Sequence, residues 1–282
     1  MLTIKKYFIF TALIFSLFLS QVVMAWTKVS NSITMNGQNF SADWYLPDNQ
    51  ARGLVYLQHG FQADKNNVSQ LAEVYVSADI MVLAIDASMT GGNPSLAVTV
   101  ADTFANQAIT PPNGFPLPTR WVFAGHSAGG LHATLIAAEL VQLGQSVAGL
   151  VLFDPVDASS LMQTATARLQ TAQVPYYGIL ANGGLCNSFN NSQGFFESIP
   201  NQTFGGFKLV DGSTHLDAYG TESYWYQSLF CGSPSTQNIN YLREFSLEWV
   251  KSLLNVSTDS DYFPGGEIFE QIINVGDAVI LQ

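Results

Sequence analysis

From residue 53 onward, short apolar runs rich in β-branched side chains alternate with stretches of helical periodicity, and this order restricts the chain to an α/β fold. The runs are "GLVYLQHG" (53–60), "IMVLAIDA" (80–87), "RWVFAGHS" (120–127), "VAGLVLFD" (147–154), "VPYYGILAN" (174–182) and "FKLVDG" (207–212). Helices are predicted over 68–78, 95–107, 129–143 and 239–254. Continuous rather than alternating apolar strands indicate a mostly parallel sheet covered on both faces. Residues 27–47 instead alternate around Asn36-Gly37-Gln38, as an antiparallel hairpin does. The expected architecture is a twisted, mostly parallel sheet of about eight strands with helices on both faces and an N-terminal antiparallel hairpin. Loops rich in Gly, Asn and Pro lie at 88–94, 109–119 and 183–206. In such a sheet, loops leaving the carboxyl ends of the strands build the ligand crevice.

The first 25 residues stand apart. Lys5 and Lys6 precede the apolar "YFIFTALIFSLFL", and Ala25 closes "VVMA", the layout of a cleavable secretory signal peptide. Export implies a secreted or periplasmic protein with no stable membrane span after cleavage. Residues 26–255 then form one domain, and the tail 256–282 has no role legible in the sequence. The formal charge of −11 becomes still more negative without the two leader lysines, which argues against nucleic acid or anionic lipid as partner. The two cysteines, Cys186 and Cys231, are expected to pair in an oxidising compartment, closing a loop worth about 4 kcal/mol in the chain-entropy model.

Gly125-His126-Ser127-Ala128-Gly129 falls where the run 120–127 ends and the next helix begins. This is the G-x-S-x-G nucleophile elbow in its strand-turn-helix context, so Ser127 is the candidate nucleophile. A serine hydroxyl needs a base at neutral pH. Of four histidines, His126 and His132 flank the elbow and His59 precedes it, whereas His215 lies downstream in "DGSTHLDAYG" after the last predicted strand. That matches the order Ser, acid, His. Between Ser127 and His215 the acids are Glu139, Asp154, Asp157, Glu197 and Asp211. Asp154 ends its strand one position across the sheet from Ser127 and is the first candidate, with Asp157 second. Phe61, after His59-Gly60, and Ala128 supply the candidate oxyanion amides. His59 itself is expected to form a structural hydrogen bond. Phe61, Tyr224, Trp225, Tyr226 and Phe230 form a candidate apolar subsite, Phe61 and Trp225 being named as substrate-binding.

With these residues in place, the chain resembles an α/β-hydrolase from about Thr27 to Leu254. The segments "HGFQADKNNVSQLAEVYVSADIMVLAIDAS", "GHSAGG", "FDPVD" and "GSTHLD" are most similar to chlorophyllase-like and bacterial cutinase-like ester hydrolases, including lipases and polyesterases. The chlorophyllase resemblance implies Asp154 as the acid and His215 as the base. Chlorophyllases carry Arg where this chain has Ala128, and cutinase-like enzymes place the acid one strand later, where this chain has none. The expectation is a monomeric carboxylic ester hydrolase working through an acyl-enzyme, without cofactor or metal, on a small-molecule, lipid or polymeric ester. An inactive binding protein and an acyltransferase using the same triad are the alternatives.

Overall fold

The computed structural model describes residues 26–158, 160–198, 204–210 and 212–281. The leader expected over 1–25 and the candidate acid Asp211 lie outside the described residues. Strands β1 (Trp26–Met35) and β2 (Gln38–Pro47) form the hairpin, antiparallel from Trp26 opposite Pro47 to Met35 opposite Gln38. Its two-residue turn places Asn36 at φ 46° and Gly37 at φ 75°, the left-handed pair that matches the twist of adjoining strands.

Six strands follow in parallel: β3 (Leu54–Gln58), β4 (Met81–Ile85), β5 (Trp121–His126), β6 (Gly149–Phe153), β7 (Tyr176–Leu180) and β8 (Gly206–Leu209). A ninth strand, β9 (Ala278–Leu281), pairs antiparallel with β8, and the sheet order is β1-β2-β4-β3-β5-β6-β7-β8-β9. Successive side chains of a strand point to opposite faces. Leu54 and Tyr56 of β3, with Trp121 and Phe123 of β5, therefore enter one core layer, while Val55, Leu57, Val122 and Ala124 enter the other. This double burial is why these strands are apolar without interruption.

The helices are α1 (Ser69–Val76), α2 (Pro94–Ala105), α3 (Ala128–Gln142), α4 (Leu161–Thr171), α5 (Gln193–Glu197), α6 (Trp225–Cys231), α7 (Thr236–Leu253) and α8 (Glu267–Asn274). Among the described residues, no helix is long and apolar enough to cross a membrane. Four of these helices and β9 had no counterpart in the sequence expectations. α4 buries Met162, Ala165, Thr166 and Leu169 at helical spacing. It supplies the crossover that parallel β6 and β7 require. The tail buries Phe269 and Ile272 of α8 and caps the open edge of β8 with β9.

His132 ties the loop 88–94 to α3. Its Nδ1–H donates to the Gly92 carbonyl at 2.9 Å, and complete burial lowers its pKa to about 4. In the unfolded chain the imidazole takes up a proton as pH falls through 6.5, whereas the folded one stays neutral until about pH 4. Its stabilising contribution is therefore intact above pH 6.5 and lost between there and pH 4. We expect wild type to lose about 2 kcal/mol more than His132→Gln between pH 7 and pH 5 in urea unfolding. Equal losses in the two proteins would show that His132 is protonated in the native state.

Candidate active site

Ser127 lies between β5 and α3 with φ 56° and ψ −128°, outside the regions an L-residue ordinarily occupies. Strain of this kind amounts to about 1–3 kcal/mol and persists only where the surroundings enforce it. Here they do. The Ser127 N–H donates to the Phe153 carbonyl at 3.0 Å, and its own carbonyl accepts from Gly130 N at 2.9 Å and Val156 N at 3.1 Å. The two motif glycines are required sterically. A Cβ on Gly125 would stand 2.3 Å from the Gly129 carbonyl oxygen, and one on Gly129 would stand 2.3 Å from that of His59. Both obstacles are backbone, so no side-chain movement relieves them.

Asp154 follows β6 at φ 42°, a left-handed conformation that aspartate tolerates better than most residues. Its Oδ2 is 2.6 Å from His215 Nδ1, and both residues are buried. An aspartate accepts here, so Nδ1 carries the proton and Nε2 is left as a base. Ala181 N donates to Asp154 Oδ1 at 3.0 Å. The loop carrying His215 is itself anchored: Ser213 Oγ donates to the Leu209 carbonyl, and Thr214 N donates to Asp217 Oδ2.

The other histidines are held elsewhere. His126 donates from Nε2 to the backbone carbonyl of His215 at 2.7 Å, its ring 4.4 Å from the His215 ring. Burial, and then the neighbouring His215, push its pKa well below 6.5. His59 donates from Nδ1 to the Gly60 carbonyl at 2.8 Å, and burial lowers its pKa too. Among the remaining acids, Asp157 caps α4 by accepting from Leu161 N and Met162 N, Glu139 pairs with Arg168, and Glu197 accepts from Gln193.

Ser127 and His215 open into one cavity of about 320 Å³, bounded by Phe61, Leu216, Tyr226, Phe230 and both cysteines. Trp225, expected as substrate-binding, is not among the residues that bound it. On α6 it is Tyr226 and Phe230, one turn apart on an adjoining stripe, that line the cavity. Tyr224 turns away to bond Asp64. The structural roles of three residues of the site went unread in the sequence. Tyr219 Oη accepts from Gly60 N at 2.8 Å, His126 holds the His215 carbonyl, and Asn187 bonds the Asp154 carboxylate. None has a local signal, since each is defined by a partner distant in sequence.

Cys186 and Cys231 are joined, 45 residues apart, and link the loop after β7 to the end of α6. Replacing both by alanine is expected to lower stability by about 4 kcal/mol. Denaturant unfolding of the double variant measures this, and a loss under 1 kcal/mol would show that the bridge does not restrict the unfolded chain as that model requires.

Strand order, crossover helices and the elbow after β5 define the α/β-hydrolase fold. The dienelactone hydrolase of Anabaena variabilis is similar in structure, with a TM-score of 0.56 at 18% identity over 81% of this chain and 98% of that one. No protein-family profile and no curated protein matches the sequence.

Proposed function

We propose that the protein is an exported serine hydrolase of carboxylic esters. The observation that carries this is the 2.6 Å bond from His215 Nδ1 to Asp154, with His215 lining a cavity that also holds a strained Ser127 at the end of β5. Ser127 Oγ attacks the ester carbonyl carbon as its proton passes to His215 Nε2. The resulting oxyanion is met by the backbone N–H groups of Phe61 and Ala128. Ala128 is the first residue of α3, so its N–H has no acceptor in a preceding turn. Each such donor contributes about 3 kcal/mol to the transition state. Collapse breaks the ester C–O bond, and His215 returns the proton to the departing alcohol. Water, activated by the same imidazole, then attacks the acyl-enzyme and releases the acid and Ser127.

Phe61, Leu216, Tyr226 and Phe230 favour an apolar or aromatic group on the ester. The described residues contain no cluster of side chains suited to a metal, and the acyl-enzyme route needs no cofactor. The structural neighbour is named for a lactone, which is a cyclic ester, and so falls in the same substrate class. The deciding experiment is hydrolysis of p-nitrophenyl esters of short to long acyl chain by the chain lacking residues 1–25. Turnover with a preference among acyl lengths supports the assignment. Inertness on every ester would leave a binding protein on a hydrolase fold.

A further inference from the structure

We propose that Asn187 is a positioning residue for the triad acid and that the Cys186–Cys231 bridge is its tether. This rests on the ester-hydrolase assignment above and adds to it a residue that touches no reacting atom. Asn187 is 1% exposed. Its Nδ2 lies 3.2 Å from Asp154 Oδ1, 3.0 Å from Asp154 Oδ2 and 2.8 Å from the Asn182 carbonyl. Its own Oδ1 accepts from Gly184 N at 2.7 Å. The whole amide is therefore engaged, and one N–H spans both carboxylate oxygens.

That bridge matters because χ2 of an aspartate is a broad, two-fold torsion with no strong preference of its own. Ala181 N fixes one point on the carboxylate, and a single point leaves the plane free to turn. The Asn187 amide, set across both oxygens, fixes the plane so that Oδ2 meets His215 Nδ1. It also supports a buried charge that has no Lys or Arg partner among the described residues.

Asn187 is held in turn. Its loop neighbours Leu185 and Phe189 are exposed and give it little packing. Cys186, directly before it, is bonded to Cys231 at the end of α6. The chain Cys231, Cys186, Asn187, Asp154, His215 thus connects the aromatic wall of the cavity to the catalytic base.

The test is a double-mutant cycle on p-nitrophenyl acetate, whose activated leaving group keeps small residual rates measurable. Asn187→Leu should lower kcat about 10- to 100-fold with KM nearly unchanged, as expected of a misplaced catalytic group. In an Asp154→Ala background the same change should be almost silent, because the group it positions is gone. Replacing both cysteines by alanine should lower kcat in the same direction and add nothing to Asn187→Leu. Asn187→Asp is the second variant, since it keeps an acceptor for Gly184 N if the leucine does not fold. The charged or titratable groups around His215 are Asp154, Asp217, the neutral His126 and Tyr219; a second carboxylate about 3 Å from Asp154 shares a proton with it, so Asn187→Asp should lower kcat at neutral pH and regain it as pH rises.

The proposal falls if Asn187→Leu costs the same factor in both backgrounds, or if Asn187→Asp keeps the wild-type kcat and pH profile. Full kcat in the cysteine variant would overturn the tether. A third readout needs no turnover: the low-field proton resonance of His215 Nδ1 should persist in Ser127→Ala and shift or vanish in Asn187→Leu. If wild type hydrolyses no ester, the function assignment fails and this resonance still decides the role of Asn187.

Discussion

Ser127→Ala is expected to lower kcat/KM for any ester the protein hydrolyses by about 10⁴-fold or more, with the thermal unfolding curve nearly unchanged. Alanine keeps the Cβ and so keeps the backbone strain at φ 56° and ψ −128°, while removing the hydroxyl proposed to attack the ester. Ser127→Gly separates the two effects. It should be equally inactive yet no less stable than wild type, since relief of about 1–3 kcal/mol of strain offsets the entropic cost of glycine. Steady-state kinetics beside calorimetry of the three proteins checks both points. An active alanine variant would remove Ser127 from the chemistry altogether.

Asp154→Asn should cost about 10⁴-fold in kcat at neutral pH, through the proton on His215. In wild type the carboxylate accepts from His215 Nδ1 at one oxygen and from Ala181 N at the other. An amide introduced there must turn its oxygen toward the Ala181 donor, which leaves its NH₂ facing Nδ1. The imidazole proton is then driven to Nε2, where the base is needed. Asp157→Asn is the matched control. Its side chain accepts from Leu161 N and Met162 N at the start of α4, an asparagine still caps a helix, and the rate should not change. A large loss at Asp157 with none at Asp154 would reverse the assignment of the acid.

The candidate triad was legible because two of its members sit at places that topology defines. Ser127 and Asp154 end adjacent parallel strands, β5 and β6, and strand ends can be read from apolar runs. His215 was found by order along the chain, since His59 precedes the elbow and His126 and His132 flank it, leaving His215 alone far downstream. The helix α4 was missed because its mean hydropathy is low and its buried stripe includes Thr166. The tail was unreadable for a related reason. A four-residue strand such as β9 carries no pattern of its own and exists because β8 leaves an edge to pair with.

Trp225 marks a different limit. On a short helix every aromatic residue looks equally suited to a pocket, and only the rotation of α6 about its axis sets Tyr226 and Phe230, but not Trp225, along the cavity. The amino-acid sequence by itself determined the doubly covered parallel sheet, the hairpin, the elbow and the order of Ser127, Asp154 and His215, because period, glycine and turn chemistry act locally. Only the tertiary structure decided which ring nitrogen faces the acid, that Asn187 spans the Asp154 carboxylate, and which aromatics line the cavity. Those depend on contacts between segments as far apart as Gly60 and Tyr219, whose meeting is set by packing of the whole sheet.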